Sequence, residues 1–208
     1  MHSVHDHRAE RHSTSGHLTL HAAGTYEAAT RIAWLGRRGL AYRRLVRDAG
    51  IRPGDDVLDL GCGTGALTRA AAEASRTGRV TGIDLAPEMV AYARRLGGDA
   101  TYEEGDISGL THPDASVDVV VSSLALHHVD PAARDAVLTG AFRVLRPNGR
   151  ILIAEFVPPR WLPRAARRHR MLAADPRGDL VERLARAGFV DIESLRRGIF
   201  AVARATRP

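Results

Sequence analysis

Asp59, Gly61, Gly63 and Gly65 stand at alternate positions in the run Asp59-Leu60-Gly61-Cys62-Gly63-Thr64-Gly65. Glycines spaced this closely between a strand and a helix let the chain turn sharply and let a ligand approach the backbone. Three details narrow the choice of ligand. A carboxylate at Asp59 repels a pyrophosphate and attracts an ammonium or sulfonium group. The spacing is GxGxG, whereas the dinucleotide fingerprint GxGxxG needs a glycine where this chain has Ala66. No GxxxxGK[ST] occurs, which excludes a P-loop on motif grounds. Asp84 ends a second strand twenty-three residues after Gly61. A carboxylate there can accept hydrogen bonds from two vicinal ribose hydroxyls; a solvated strand-end acid is the competing reading.

A second group of chemically capable residues lies further on. His127 and His128 follow a fourth strand, in the crevice outside the strand ends where open α/β sheets bind ligands. Either imidazole could deprotonate a phenol, enol or amine, His128 being slightly favoured, and a backbone-bonded structural histidine is the alternative. Glu155, at the end of the fifth strand, interrupts an apolar run and turns either toward an acceptor pocket or toward solvent. Cys62 reads as a small packing residue inside the glycine loop. Histidines and acids do not converge at metal-ligand spacing, so no metal site is expected. Trp34 and Trp161 are the only tryptophans, each suited to an aromatic acceptor or, more commonly, to a core or subunit contact.

These residues need a scaffold, and the apolar pattern supplies one. Strands are expected at 55–60, 79–84, 100–104, 117–121, 151–157, 190–195 and 199–203, with helices at 64–75, 87–96, 131–145 and 179–187. Pro87 suits a first helical position, where its missing N–H costs nothing. Val117 to Val121, four valines around Asp118, reads as a buried strand. Arg146-Pro147-Asn148-Gly149 reads as the turn that ends a helix. Short apolar strands alternating with helices predict βαβ units, a mostly parallel sheet and helices on both faces. Arg196-Arg197-Gly198 is short enough for a hairpin, so the last strand is expected to run antiparallel. Residues 1–17, with five histidines and little that is apolar, read as a disordered arm. Residues 18–51 read as a helical lid, and 52–208 as the main domain with a short basic cap at 158–178.

The whole chain of 208 residues is long enough for one self-sufficient core. It has no apolar run of the length that spans a membrane, no secretory h-region and a single cysteine, so a soluble cytoplasmic protein is expected. Its 30 basic residues are all arginine. They give net charges of +5 over residues 1–52, −6 over 53–159 and +7 over 160–208. An acidic centre with basic flanks could steer an anionic partner toward the flanks, although solvated helix faces are the simpler account.

In its ordered motifs the sequence resembles the class I S-adenosylmethionine-dependent methyltransferases, especially the small ubiquinone/menaquinone-biosynthesis-like type. The resemblance covers about residues 52–157. It rests on Val57 to Gly65, Gly82-Ile83-Asp84-Leu85-Ala86-Pro87-Glu88-Met89, Gly105-Asp106-Ile107, Ser122 to His128, and Phe142 to Arg150. It implies a Rossmann-like seven-stranded, mostly parallel sheet with an antiparallel last strand and helices on both faces. It also implies S-adenosyl-L-methionine as cofactor and a small-molecule acceptor methylated at O, N or C, in quinone-type or secondary metabolism.

Residue roles follow by the same resemblance. Asp59 and the loop Gly61, Cys62, Gly63, Thr64 and Gly65 look like the site for the methionine portion. Asp84 looks like the ribose clamp, with Leu85 and Met89 beside the adenosine. Gly105, Asp106 and Ile107 look like the adenine site, and Ser123 and Leu124 like the lining of the methyl-transfer centre. Tyr26 resembles the tyrosine of an amino-terminal lid that meets cofactor and acceptor. His128, Glu155 and Trp161 are the remaining expected acceptor contacts, with His127 and His128 as catalytic candidates. The arginines at 160–170 would suit an anionic acceptor or a homodimer contact. A nucleic-acid or protein methyltransferase is an alternative, but Ser122 to Leu126 lacks an aromatic base clamp and the aromatic fraction is only 5%. A non-catalytic cofactor-binding or assembly protein is the other alternative.

Overall fold

The computed structural model describes residues 38–157, 176–198 and 200–208. Helix α1 spans Arg38–Asp48, followed by β1 (Val57–Leu60), α2 (Ala66–Ser75), β2 (Val80–Asp84), α3 (Pro87–Leu96) and β3 (Thr101–Glu104). A 3-10 turn at Ile107–Gly109 leads to β4 (Val117–Ser123), and a second at Leu126–His128 leads to α4 (Arg134–Val144). The chain continues through β5 (Leu145–Phe156), α5 (Pro176–Arg186), β6 (Val190–Arg197) and β7 (Phe200–Thr206).

The seven strands form one sheet in the order β3-β2-β1-β4-β5-β7-β6. The first five are parallel, and β7 runs antiparallel to both β5 and β6. The alternation of strand side chains explains how one strand feeds two cores. Val120 on β4 packs with Val137, Leu138, Ala141 and Val144 of α4 and with Leu180 and Leu184 of α5. Val119 and Val121 face the other way, with Leu45 and Val46 of α1 and Leu67 and Ala71 of α2. Helix α3 covers β2 and β3 through Val90 and Ala93, which meet Tyr102 and Cys62. Helices therefore flank both faces. The described end of the expected lid, α1, is packed on the core rather than standing off it.

The strand order reverses between β1 and β4, each of which has its own crossover leading away to opposite sides. Such a switch point leaves a crevice at the carboxyl ends of the strands. Here it opens beyond Leu60, Asp84 and Ser123.

One expected boundary is corrected. Residues 146–149 do not end the helix as a free turn; they lie inside β5, whose Leu145 already pairs with Val117. The turn chemistry survives as an irregularity between Val117 and Val119. Asn148 takes φ 61° there, and a Cβ on Gly149 would come within 2.7 Å of the Arg146 carbonyl. Arg146 holds the bend by donating to Asp118 at 2.6 Å and Asp56 at 2.9 Å. The expected hairpin forms, with Gly198 at φ 62° after Arg197.

Candidate active site

The glycine loop takes its shape from what surrounds it. Gly61 and Cys62 donate their N–H groups to the Ile83 carbonyl at 2.8 and 2.9 Å, which ties the end of β1 to β2. Gly61 sits at φ 72°, and a Cβ there would lie 2.3 Å from the Ala125 Cβ. Any side chain at 61 would drive the two loops apart. Gly63, at φ 53°, has no atom within 4 Å of where its Cβ would be, so its bare backbone faces open space in the cleft. Gly65 has another task. At φ 76° it precedes α2, and a Cβ would press on the Tyr102 ring at 2.7 Å. It therefore serves packing and does not line the cleft.

The cleft is lined from the ends of β1, β2 and β4. Asp59, Gly61, Cys62, Gly63 and Thr64 form one wall. Asp84, Leu85 and Met89 form the next, and Gly105, Asp106 and Ile107 the far end. Ser123, Leu124 and His128 close the side opposite the glycine loop. Sequence expectations thus meet in one place for these fourteen residues, while Tyr26 and Trp161 lie outside the described residues. The sequence reading missed Tyr42 of α1, which also lines the cleft. It lies three and four residues before the buried Leu45 and Val46, so helical spacing already put it on the inward face. Ala125 and Val129 were missed as well, and only the close approach of Gly61 explains the first.

Electrostatics distinguish this cleft from the rest of the molecule. Three carboxylates line it, and although the chain has 30 arginines, none of the described ones does. Asp59 is 1% exposed and accepts the Thr68 hydroxyl at 2.7 Å. Burial, with a smaller push from Asp84, outweighs the opposing Thr68 bonds and raises its pKa to about 7. Asp84 accepts the Gly63 N–H at 2.7 Å and the Ala86 N–H at 3.0 Å. Its carboxyl also titrates above the usual range, because burial outweighs those two bonds. Asp106 holds the Ser108 N–H at 2.9 Å. The Ser123 hydroxyl is buried without a partner. Burial pushes the Cys62 thiol up, so it is an inert packing group against Gly82.

The two histidines part company. His128 lines the cleft, and part of its surface still meets solvent. Loss of water around the ring, and then the adjacent His127, lower its pKa, so it stands neutral and weakly basic at neutral pH. A good general base has a pKa near the working pH, so the local environment works against that duty. His127 turns away from the cleft and binds Glu155, its Nδ1 lying 2.7 Å from Oε2. Glu155 is neither a cleft wall nor a solvent group: at 6% exposed it lies beneath the turn after β4 and accepts the Leu126 N–H at 2.9 Å. Its placement follows from β5, since Leu124 bonds the neighbouring Ala154 carbonyl at 2.8 Å and draws the turn over the strand end. Leu124 itself is held at φ 58°, a conformation that costs a non-glycine residue about 1 kcal/mol or more.

Among the described residues no cluster of His, Cys, Asp or Glu could hold a metal ion, and no helix is long and apolar enough to cross a membrane.

Comparison with known proteins places this geometry in context. A family model described as a methyltransferase domain matches residues 57–149, the stretch from β1 into β5. The chain is 42% identical over 123 residues to a demethylmenaquinone methyltransferase of Beutenbergia cavernae, covering 59% of this chain and 50% of that protein. It is 38% identical over 135 residues to a malonyl-[acyl-carrier protein] O-methyltransferase of Serratia marcescens, covering 64% of this chain and 49% of that one. The chain spans about half the length of these curated relatives. A solved structure, the SAM-dependent methyltransferase of Aquifex aeolicus, superposes with a TM-score of 0.70 over 86% of this chain and 98% of that one. At 20% identity that likeness concerns the fold.

Proposed function

We propose that this chain, whose residues 57–149 match a methyltransferase-domain model, is a class I S-adenosylmethionine-dependent enzyme that transfers a methyl group to a small-molecule acceptor of the quinone type or a chemically related nucleophile. The observation that carries the reading is a cleft lined by three carboxylates and, among the described residues, by no arginine. A buried carboxyl whose pKa is raised to about 7 gains most from a ligand that brings positive charge. A diphosphate would meet the same carboxylates with repulsion.

The residues fit a sulfonium nucleoside. Asp59 and the open backbone at Gly63 would take the amino-acid end, where a cation relieves the buried charge. Asp84 is fixed by two backbone N–H groups yet keeps acceptor capacity on both oxygens, as ribose hydroxyls require. Leu85, 42% exposed in the cleft wall, offers apolar surface to an adenine ring, and Asp106 with Ile107 would meet its edge. Bound S-adenosylmethionine supplies a methyl group already activated on sulfur. The chain's own work is then to orient the acceptor in line and keep water out. Ser123, Leu124 and the neutral imidazole of His128 form the wall on which an acceptor would lie, with Tyr26 and Trp161 as further contacts.

Isothermal calorimetry with S-adenosylhomocysteine and with NAD tests the first half, with binding expected for the former and none for the latter. Transfer of isotope-labelled methyl groups to a demethylated naphthoquinol, read by mass spectrometry, tests the second. Binding of the dinucleotide without affinity for the sulfur nucleoside would overturn the reading.

A further inference from the structure

Glu155 and His127 form a buried pair behind the wall on which an acceptor would lie. Their side chains are 7% and 10% exposed, and neither lines the cleft. Each carboxylate oxygen has one partner: Oε1 takes the Leu126 N–H at 2.9 Å and Oε2 faces His127 Nδ1 at 2.7 Å. Among the described residues no arginine joins them. Arg134 reaches the carbonyls of Val129 at 3.2 Å and His127 at 3.5 Å instead. Burying a carboxylate is costly, and an apolar residue at 155 would serve the fold alone more cheaply.

The pair also settles where the ring proton sits. A carboxylate oxygen at Nδ1 is an acceptor, so Nδ1 carries the hydrogen. His127 Nε2 is buried with no partner. A bare lone pair is tolerated there better than an orphaned N–H. The held ring packs on His128, with centroids 4.0 Å apart and planes inclined by 42°. The same carboxylate thus fixes the amide that starts the turn and the ring on which a cleft-lining imidazole rests. Its own backbone is anchored in the sheet, paired with Ala201 of β7.

We propose that Glu155 is a positioning residue for the acceptor side of the site: by locking the His127 ring in its Nδ1–H form and pinning the Leu126 amide, it sets the orientation of His128 and the turn around it. The proposal rests on the methyltransferase reading and goes beyond it, since Glu155 touches neither cofactor nor acceptor. The cofactor side has its own supports, with Asp59 held by Thr68 and Asp84 by Gly63 and Ala86. Disturbing Glu155 should leave that side alone.

The test is Glu155→Gln, an isosteric change that keeps an oxygen for the Leu126 N–H and turns an NH₂ donor toward Nδ1. The ring proton must then move to Nε2. Nitrogen-15 NMR of the histidine rings should show the Nδ1–H tautomer at His127 in the native protein and Nε2–H in the variant, with the His128 ring signals displaced. Calorimetric affinity for S-adenosylhomocysteine should stay within about twofold of the native value, while kcat for methyl transfer falls about tenfold or more at unchanged cofactor KM. An Nε2–H form in the native protein, or a variant with unmoved His127 and His128 signals, would overturn the proposal. Failure of the native protein to bind S-adenosylhomocysteine would instead sink the methyltransferase reading, while the ring spectra still judge the pair.

Discussion

The two ends of the same strands carry aspartates of opposite character. At the amino end, Asp55 is bonded by the Arg150 guanidinium and by the Arg52 N–H at 2.8 Å. Asp56 and Asp118 share Arg146, at 2.9 and 2.6 Å. Burial pushes the Asp56 carboxyl up, yet the Arg79 N–H and the Arg146 guanidinium together outweigh it and hold the group below the ordinary range. At the carboxyl end, on β1, Asp59 is held by Thr68 with no described guanidinium beside it, and burial wins. Asp84, beside it on β2, titrates high for the same reason. Acids at one end arrive with their counterions built in and complete the fold. Acids at the other end are left short of positive charge, a deficit that a cationic ligand can make up.

That contrast predicts its largest effects at the cleft. Replacing Asp84 by Ala removes the group proposed for the ribose, and affinity for S-adenosylhomocysteine should fall at least tenfold, about 1.4 kcal/mol. Asp59→Asn should cost a similar or larger factor, because a charge-assisted bond is lost, at roughly 1.5–3 kcal/mol. Neither change should lower the melting temperature of the free protein, since each removes charge that burial penalises. Calorimetry and a thermal melt of each variant separate the two quantities. An unchanged affinity in Asp84→Ala would remove that residue from the ligand's contacts and erase the distinction between the two ends.

At the amino end the signs should reverse. Arg146→Leu leaves Asp56 and Asp118 without their shared counterion. The guanidinium is 39% exposed, so solvent already screens much of the interaction and the loss should be about 1–2 kcal/mol. For a chain of this size that is roughly a 3–6 °C fall in melting temperature. Affinity for S-adenosylhomocysteine should stay within about twofold. A variant that keeps its stability and loses binding would show that the two ends are not separate systems.

How much of this was legible in the sequence depends on the range over which each feature is decided. The strands and α3 follow from local apolar runs and from Pro87, and they appear within a few residues of where the pattern puts them. The exception, residues 145–149, looks like a turn locally and becomes strand because Leu145 pairs with Val117 and Arg146 grips Asp56 ninety positions away. The cleft walls were readable because glycines and strand-end acids are tied to backbone geometry at short range. Glu155 was not. Its burial depends on the turn at 124–128 folding back over β5, a contact that no spacing encodes. His127 and His128 are neighbours in sequence, and only the tertiary fold sends one ring behind the wall and the other onto it. Gly65 was read as part of a ligand loop, whereas Tyr102, thirty-seven positions on, is the reason it must be glycine.

The smallest expected effect comes from the proton on Asp59, and it sharpens the contrast because it gives two slopes of opposite sign. The carboxyl is raised from an ordinary value of 3.8 to about 7 in the folded protein. Between those values the folded chain keeps a proton that the unfolded chain has lost. The stabilisation from this group is therefore complete at low pH and disappears as pH rises through 7. The free protein should lose stability from pH 5 to pH 8, relative to Asp59→Asn. A cationic ligand favours the ionised carboxylate, so its affinity should climb over the same interval, by about fourfold between pH 6.5 and 8. The ligand's own amino group titrates as well, but it does so equally against the Asn variant, and the difference between the two proteins isolates Asp59. Calorimetry of S-adenosylhomocysteine binding at three pH values in both proteins measures it. Parallel profiles in the two proteins would mean that Asp59 is already ionised and compensated, as Asp56 is at the other end of the same strand.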